Sequence, residues 1–219
     1  MSAPRPLLAA FGQALREAWA GGAGAVLPAS FFAGAVMLVP LSVGNDPEQL
    51  SSVASGALWI ALALASLVTM ERLFQADLED GALELWLTSD VPAGAIAATK
   101  TLAHWLVSGL PLVLMSPVLE LVLGGEPLLL HAAAYGLGGI GFFFWGGMGA
   151  ALAASVRRGG LLIALIALPF YVPVAIFGAG ATADAVNAEA AFLFLAATTL
   201  ITIAIAPFAM GTALRLSVD

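Results

Sequence analysis

Six stretches of the chain are apolar for long enough to cross a bilayer: Ala25–Gly44, Ser52–Met70, Thr101–Gly124, His131–Ser155, Leu161–Gly180 and Ala190–Met210. A transmembrane helix needs about 20 mainly apolar residues, and within lipid each backbone polar group must find its partner inside the segment or in a closed barrel. Because the stretches are continuous rather than alternating, a barrel is not expected. The expected fold is therefore an all-α polytopic membrane protein with six transmembrane helices, a single permease domain over residues 1–219. Composition leaves no soluble alternative. The chain is 61% hydrophobic and 10% charged, against about 25% charged in a soluble domain. A domain of this size still exposes roughly 30% of its unfolded surface, so the excess cannot be hidden in a core.

The chain has no cysteine and two histidines. Disulfides, thiol redox chemistry, iron–sulfur clusters and zinc–thiolate sites are thereby excluded, and a multi-histidine metal site is not expected. Neither a nucleophile–base pair nor an acid–base dyad is visible, so no catalytic residue is assigned.

The net charge of −7 says less than its distribution. Arg5 and Arg16 precede span one, Arg72 and Lys100 flank the loop between spans two and three, Arg157 and Arg158 join spans four and five, and Arg215 follows span six. The other three loops carry Asp46 and Glu48, then Glu126, then Asp184 and Glu189, with no basic residue. The positive-inside rule places both termini in the cytoplasm, and the bacterial inner membrane is the expected location. No basic patch suits nucleic acid.

Residues 6–22 invite a signal-peptide reading, but Gln13, Arg16 and Glu17 interrupt the apolar run. Leu7, Leu8, Phe11, Leu15, Ala18 and Trp19 instead share one face at helical spacing, which predicts an amphipathic helix lying in the membrane interface. Span four holds seven glycines between Tyr135 and Gly149, a pattern for close helix packing within the chain. Pro169 and Pro173 in span five mark a candidate bend.

The cytoplasmic segment 71–90 carries the most information. Phe74, Leu78, Ala82 and Leu85 form an apolar stripe, while Asp77, Asp80 and Glu84 form a charged one. Gly81 between them predicts a break into two short helices. An acidic amphipathic element is repelled by anionic lipid, so a groove on a cytoplasmic protein suits it better. The following Gly94–Thr101 run matches a phosphate-binding loop except for Thr99 in place of the second glycine. It also lacks the preceding strand that the motif requires. ATP hydrolysis must then come from another subunit.

Three ionisable groups fall in or beside the spans: His104 next to Trp105 near the cytoplasmic face, Glu120 before the outer end of span three, and His131 near the outer end of span four. Such groups are costly and often functional, but Glu120 and His131 are expected to reach the outer interface. His104, Trp105, Glu120, Pro169 and Pro173 are candidate substrate or partner contacts.

The loop LEDGALELWLTSDVP followed by Lys100 resembles the cytoplasmic motif of six-span ABC-2 exporter permeases. More specifically, ERLFQADLEDGALE, KTLAHWLVSGLPLVLMSP and RRGGLLIALIALPFYVP are similar to the CcmB family, the permease subunits of the cytochrome c maturation (heme exporter) ABC transporter. The similarity runs from Val39 to the end; Ser89–Asp90 and Glu120 depart from the family pattern. The resemblance implies a separate CcmA-like ATPase subunit that holds the ATP, a CcmC-like heme-handling protein, a CcmD-like small membrane protein and a functional link to a CcmE-like heme chaperone. It implies heme delivery, or release of the loaded chaperone, on the periplasmic side. Heme would be handled by the complex, with no cofactor assigned to this chain. In that scheme Glu71–Leu87 is the coupling element. Leu73, Phe74, Leu78 and Leu85 would fill a groove of the ATPase, Arg72, Asp77, Asp80 and Glu84 would set the orientation, Glu71 would open the element and Gly81 would supply the bend. An ABC-2 permease for a lipid or small hydrophobic compound, a secondary transporter and a passive scaffold are the alternatives.

Overall fold

The computed structural model describes residues 4–20, 24–156, 159–183 and 186–217. Arg157, Arg158 and Asp184, and the Arg5 side chain, lie outside the described set. Ten α-helices account for nearly all of the described residues: α1 (Pro4–Ala20), α2 (Val26–Val43), α3 (Pro47–Leu67), α4 (Arg72–Glu79), α5 (Ala82–Leu87), α6 (Ala93–His104), α7 (Leu110–Val122), α8 (Leu129–Ala153), α9 (Gly160–Thr182) and α10 (Ala188–Leu216). Among them, α2, α3, α6 with α7, α8, α9 and α10 provide six segments long and apolar enough to cross a membrane. The third span begins eight residues before its apolar run. It takes the Gly94–Thr101 sequence into α6, so that sequence forms helix and not a phosphate-binding loop.

The third span is continuous from Ala93 to Val122, roughly 45 Å at 1.5 Å per residue, which exceeds a hydrocarbon core of about 30 Å. Part of the span therefore extends beyond the hydrocarbon. A π-helical turn, Trp105–Gly109, joins α6 to α7, and the Leu110 amide bonds back to the Trp105 carbonyl. Pro111 follows at once. Proline supplies no amide hydrogen, and a wider turn here takes up the break in the ladder.

The central helix is α8, fully buried from Gly141 through Ala151. Its glycines make this possible. A Cβ at Gly138 would run into the Trp59 ring, one at Gly146 into the Tyr171 hydroxyl and Met70, and one at Gly147 into Thr101 and Met210. The glycine strip of span four thus accommodates side chains of α3, α6, α9 and α10 within the same chain. On the perimeter, Leu161, Leu165, Leu193, Leu200 and Phe208 are exposed, as lipid-facing positions are in a membrane bundle. Pro169 and Pro173 sit on the exposed side of α9, which continues as one helix from Gly160 to Thr182.

α1 packs against α6 through a narrow stripe in which Ala10 and Ala14 are buried. Leu8 and Trp19 remain exposed. Leu7, Phe11 and Leu15 are half-buried beside that stripe.

Candidate coupling site at the cytoplasmic end

Segment 71–90 folds into two short helices. Gly81 stands between them with φ +72°, a left-handed conformation that glycine adopts without steric cost. The Asp80 amide closes α4 by donating to the Ala76 carbonyl.

α4 has only eight residues, so its apolar stripe forms a single short patch. That patch packs against α6 and α8. Leu73 and Phe74 are buried in the core of the chain, with Phe74 1% exposed, and Leu78 packs against the same core. The expectation that Leu73, Phe74 and Leu78 fill a groove of another protein is corrected here: the bundle itself occupies them. Leu85, which the Gly81 turn carries onto a different course, is 74% exposed. Glu71, Arg72, Asp80, Gly81 and Glu84 are exposed with it, as are Ala76 and Glu79. The outward surface is thus Leu85 within a predominantly acidic rim.

Asp77 points the other way. It is 3% exposed, as buried as the core around it. Its carboxylate accepts a hydrogen bond from Lys100 Nζ at 2.5 Å. Lys100 is 5% exposed and also reaches Glu17 Oε2 of α1 at 3.0 Å. A buried lysine requires such partners, because an isolated buried charge costs several kcal/mol or more. Three elements meet at this one ammonium: α1 through Glu17, α4 through Asp77, and the third span through Lys100 itself.

One turn beyond Lys100, His104 Nε2 lies 2.9 Å from Thr69 Oγ1, in the connection between α3 and α4. The Lys100 cluster and His104 border a cavity of about 820 Å³ whose lining includes Glu17, Glu71, Arg72, Asp77, Lys100 and His104. Trp105 belongs to the π-helical turn. Its indole ring occupies the space that a side chain at Gly109 would need.

Glu120 lies at the other end of the bundle and does not join this site. The expectation that Glu120 and His131 reach the outer interface is also corrected: they are 3% and 7% exposed, and His131 and Tyr135 both contact the Glu120 carboxylate. Among the described residues no group of three or more histidine, aspartate and glutamate side chains is arranged to hold a metal.

The contacts of Glu17 and Thr69 and the structural use of Lys100 go beyond the sequence-based expectations. A usable signal was present in Lys100 as the sole lysine, set at a helical position among alanines and threonines. In such surroundings a charge must find an opposite one.

A multi-pass bundle of six apolar helices, with an amphipathic element folded against the first part of its third span, is a membrane permease of the transporter class. The chain belongs to the CcmB protein family, whose family model matches residues 5–217. It is 43% identical over 208 residues to heme exporter protein B of Paracoccus denitrificans (strain Pd 1222), covering 93% of this chain and 95% of that protein. The corresponding protein of Pseudomonas aeruginosa is 40% identical over 198 residues, covering 87% and 88%. That of Escherichia coli (strain K12) is 36% identical over 213 residues, covering 94% and 96%.

Proposed function

We propose that this chain is the membrane subunit of a heme exporter of the ABC type acting in cytochrome c maturation in the bacterial inner membrane. Its single permease domain is driven by a separate, CcmA-like ATPase and works beside CcmC-like and CcmD-like membrane proteins. Its output is heme delivery, or release of a CcmE-like heme-loaded chaperone, on the periplasmic side. The names of the relatives support the heme-exporter assignment, and the charge partition supports cytoplasmic termini.

The observation that carries the coupling assignment is the Asp77–Lys100 pair. A surface element can transmit force only if it is fixed to what it moves. Asp77 fixes α4 to the third span, and Leu73 and Phe74 seat it on the bundle core. The ATPase would grip the outward side, where Leu85 is the apolar anchor and Glu71, Asp80 and Glu84 form an acidic rim. Arg72 is exposed beside them. Nucleotide binding would then shift α4–α5 and carry α6 with it through Lys100, a two-state movement biased by a ligand of the partner. ATP stays on the partner and heme with the complex. His104, Trp105, Glu120, Pro169 and Pro173 are not needed for this gripping step.

The test is purification of the tagged chain from its native membrane in mild detergent, with the co-purifying proteins identified by mass spectrometry. An ATP-binding subunit and heme-handling proteins are expected to accompany the wild-type chain, and the ATPase is expected to be lost from Leu85→Asp. If the chain emerges alone under conditions that keep other ABC complexes together, the reading fails.

A further inference from the structure

At the end of the bundle opposite Lys100, an acid and a base are buried against each other. Glu120 stands in the last turn of α7 and His131 in the first turns of α8. They are 3% and 7% exposed. His131 Nδ1 lies 2.6 Å from Glu120 Oε1, and the Tyr135 hydroxyl donates to Glu120 Oε2 over 3.2 Å. Gly125 closes over the carboxylate. Its amide donates to the Glu120 carbonyl at 2.9 Å, and a Cβ there would come within 2.8 Å of Glu120 Cγ. Behind Tyr135 the polar contacts continue. Trp59 stacks on the Tyr135 ring at 5.3 Å, its indole donates to Thr182 Oγ1 at 2.9 Å, and the Ser55 hydroxyl lies 2.7 Å from the same oxygen. Outer parts of α7, α8, α3 and α9 are thereby joined.

Stability alone does not account for this arrangement, because a well-packed apolar pair is often as stable as a buried ion pair or more so. The helix dipoles do not account for it either. A carboxylate in a last turn and a cationic ring in a first turn each sit at the unfavourable end. Each charge is compensated chiefly by the other. With a proton on Nδ1 and none on Nε2, the pair buries one net negative charge. A second proton, taken from water onto Nε2, makes the ring cationic and the pair neutral overall.

We propose that Glu120 and His131 form a proton-binding site, filled from the non-cytoplasmic side, whose loaded form holds the outer end of the third span against the fourth. Among the described residues, Tyr135 is the one other titratable group in contact with the pair. α3 presents Ser55 and Trp59, α9 presents Thr182, and α2 contributes no titratable side chain. Asp46, Glu48, Glu126 and Glu189 at that end are exposed. The proposal is independent of the coupling assignment, since its site and its readout lie at the other end of the bundle.

The experiment uses the full chain in lipid nanodiscs. With two histidines in the chain, ring nitrogen-15 spectra are assignable from a His131→Gln control, and they are followed over about pH 5 to 8, the interval of histidine charge changes. The His131 ring spectrum is expected to change with pH, and Glu120→Gln is expected to alter that change without moving the His104 signal. The cysteine-free chain permits a second readout. Leu123, at the end of α7, is fully buried and Leu129 is 88% exposed. The alkylation rate of Leu123→Cys relative to Leu129→Cys reports opening, with thiol chemistry common to both. That ratio is expected to fall as pH falls. Glu120→Gln raises it on the order of tenfold at low pH, a conservative figure for breaking a buried pair. The exchanged pair, Glu120→His with His131→Glu, is expected to lower it again. A His131 spectrum constant across the interval overturns the proton site. A ratio indifferent to both pH and Glu120→Gln overturns the clamp. Should Glu120→Gln fail to fold, the wild-type spectra and the pH dependence of the ratio in the otherwise native chain decide both points.

Discussion

Lys100 Nζ lies 2.5 Å from the Asp77 carboxylate, with both side chains buried at the junction of the third span and the segment that precedes it. Breaking a buried pair by removing one member costs about 3–5 kcal/mol, less for Asp77→Leu because Lys100 keeps Glu17, whereas replacing both by apolar groups of similar volume is near neutral. Lys100→Met and Asp77→Leu are each expected to lower the thermal midpoint and the yield of the detergent-purified chain. The double variant is expected to recover most of the loss. Glu17 stays on α1 in all three variants, and because it is 41% exposed at its side chain its loss is expected to cost less. Single variants as stable as the wild type would show that the pair does not hold the junction.

The two sides of the coupling segment are expected to separate stability from partner binding. Phe74 is 1% exposed within the core, and truncating a buried phenylalanine to alanine costs about 3–5 kcal/mol. Phe74→Ala therefore should lower the unfolding midpoint of the isolated chain. Leu85 is 74% exposed, and surface substitutions usually change stability by less than about 0.5 kcal/mol. Leu85→Asp should leave the midpoint in place while weakening ATPase association by about tenfold or more, as loss of an interface anchor does. The opposite pattern, with Phe74→Ala stable and Leu85→Asp unfolded, would reverse the facing of this element.

Much of the architecture was legible in the sequence because lipid imposes it. Six continuous apolar runs and an alternating distribution of basic residues required only hydropathy and charge to interpret, and Gly81 marked its break by residue type alone. The facing of segment 71–90 was not legible. Phe74 and Leu85 belong to one stripe on an unbroken helical projection, but the left-handed turn at Gly81 separates their directions, and an apolar stripe does not say whether it meets a partner or its own bundle. The ion pairs were hidden for a different reason. Asp77 and Lys100 are 23 residues apart across two turns, and Glu120 and His131 are 11 apart across a hairpin. Each separation spans a break between helices, so helical periodicity does not apply across it and only tertiary placement brings those partners together.

Gly81 has φ +72° with open space around its missing side chain. Steric crowding is absent there, so a substitution is penalised by backbone conformation alone, about 1–2 kcal/mol for an ordinary residue and less for asparagine. Gly81→Asn should therefore keep both stability and partner binding. Gly81→Val should straighten the turn and reduce ATPase association more than it reduces the unfolding midpoint. Equal association by both variants would show that the course of α5 is unimportant to the partner.

Gly178 on α9 faces the Trp59 ring of α3, and an added Cβ would stand 2.5 Å from its carbons. Trp59 is fully buried and cannot yield by moving into solvent. It is held on one side by the Tyr135 ring and at its nitrogen by Thr182. Gly178→Ala must therefore push α9 away from α3, an overpacking cost of about 1–3 kcal/mol. Combining it with Trp59→Phe removes the outer ring and should return part of the loss, even though Phe cannot donate to Thr182. The comparison of unfolding midpoints for the two single variants and the double variant isolates the contact. Strict additivity of the two losses would mean that the ring and the glycine do not meet, and that α3 and α9 are held together elsewhere.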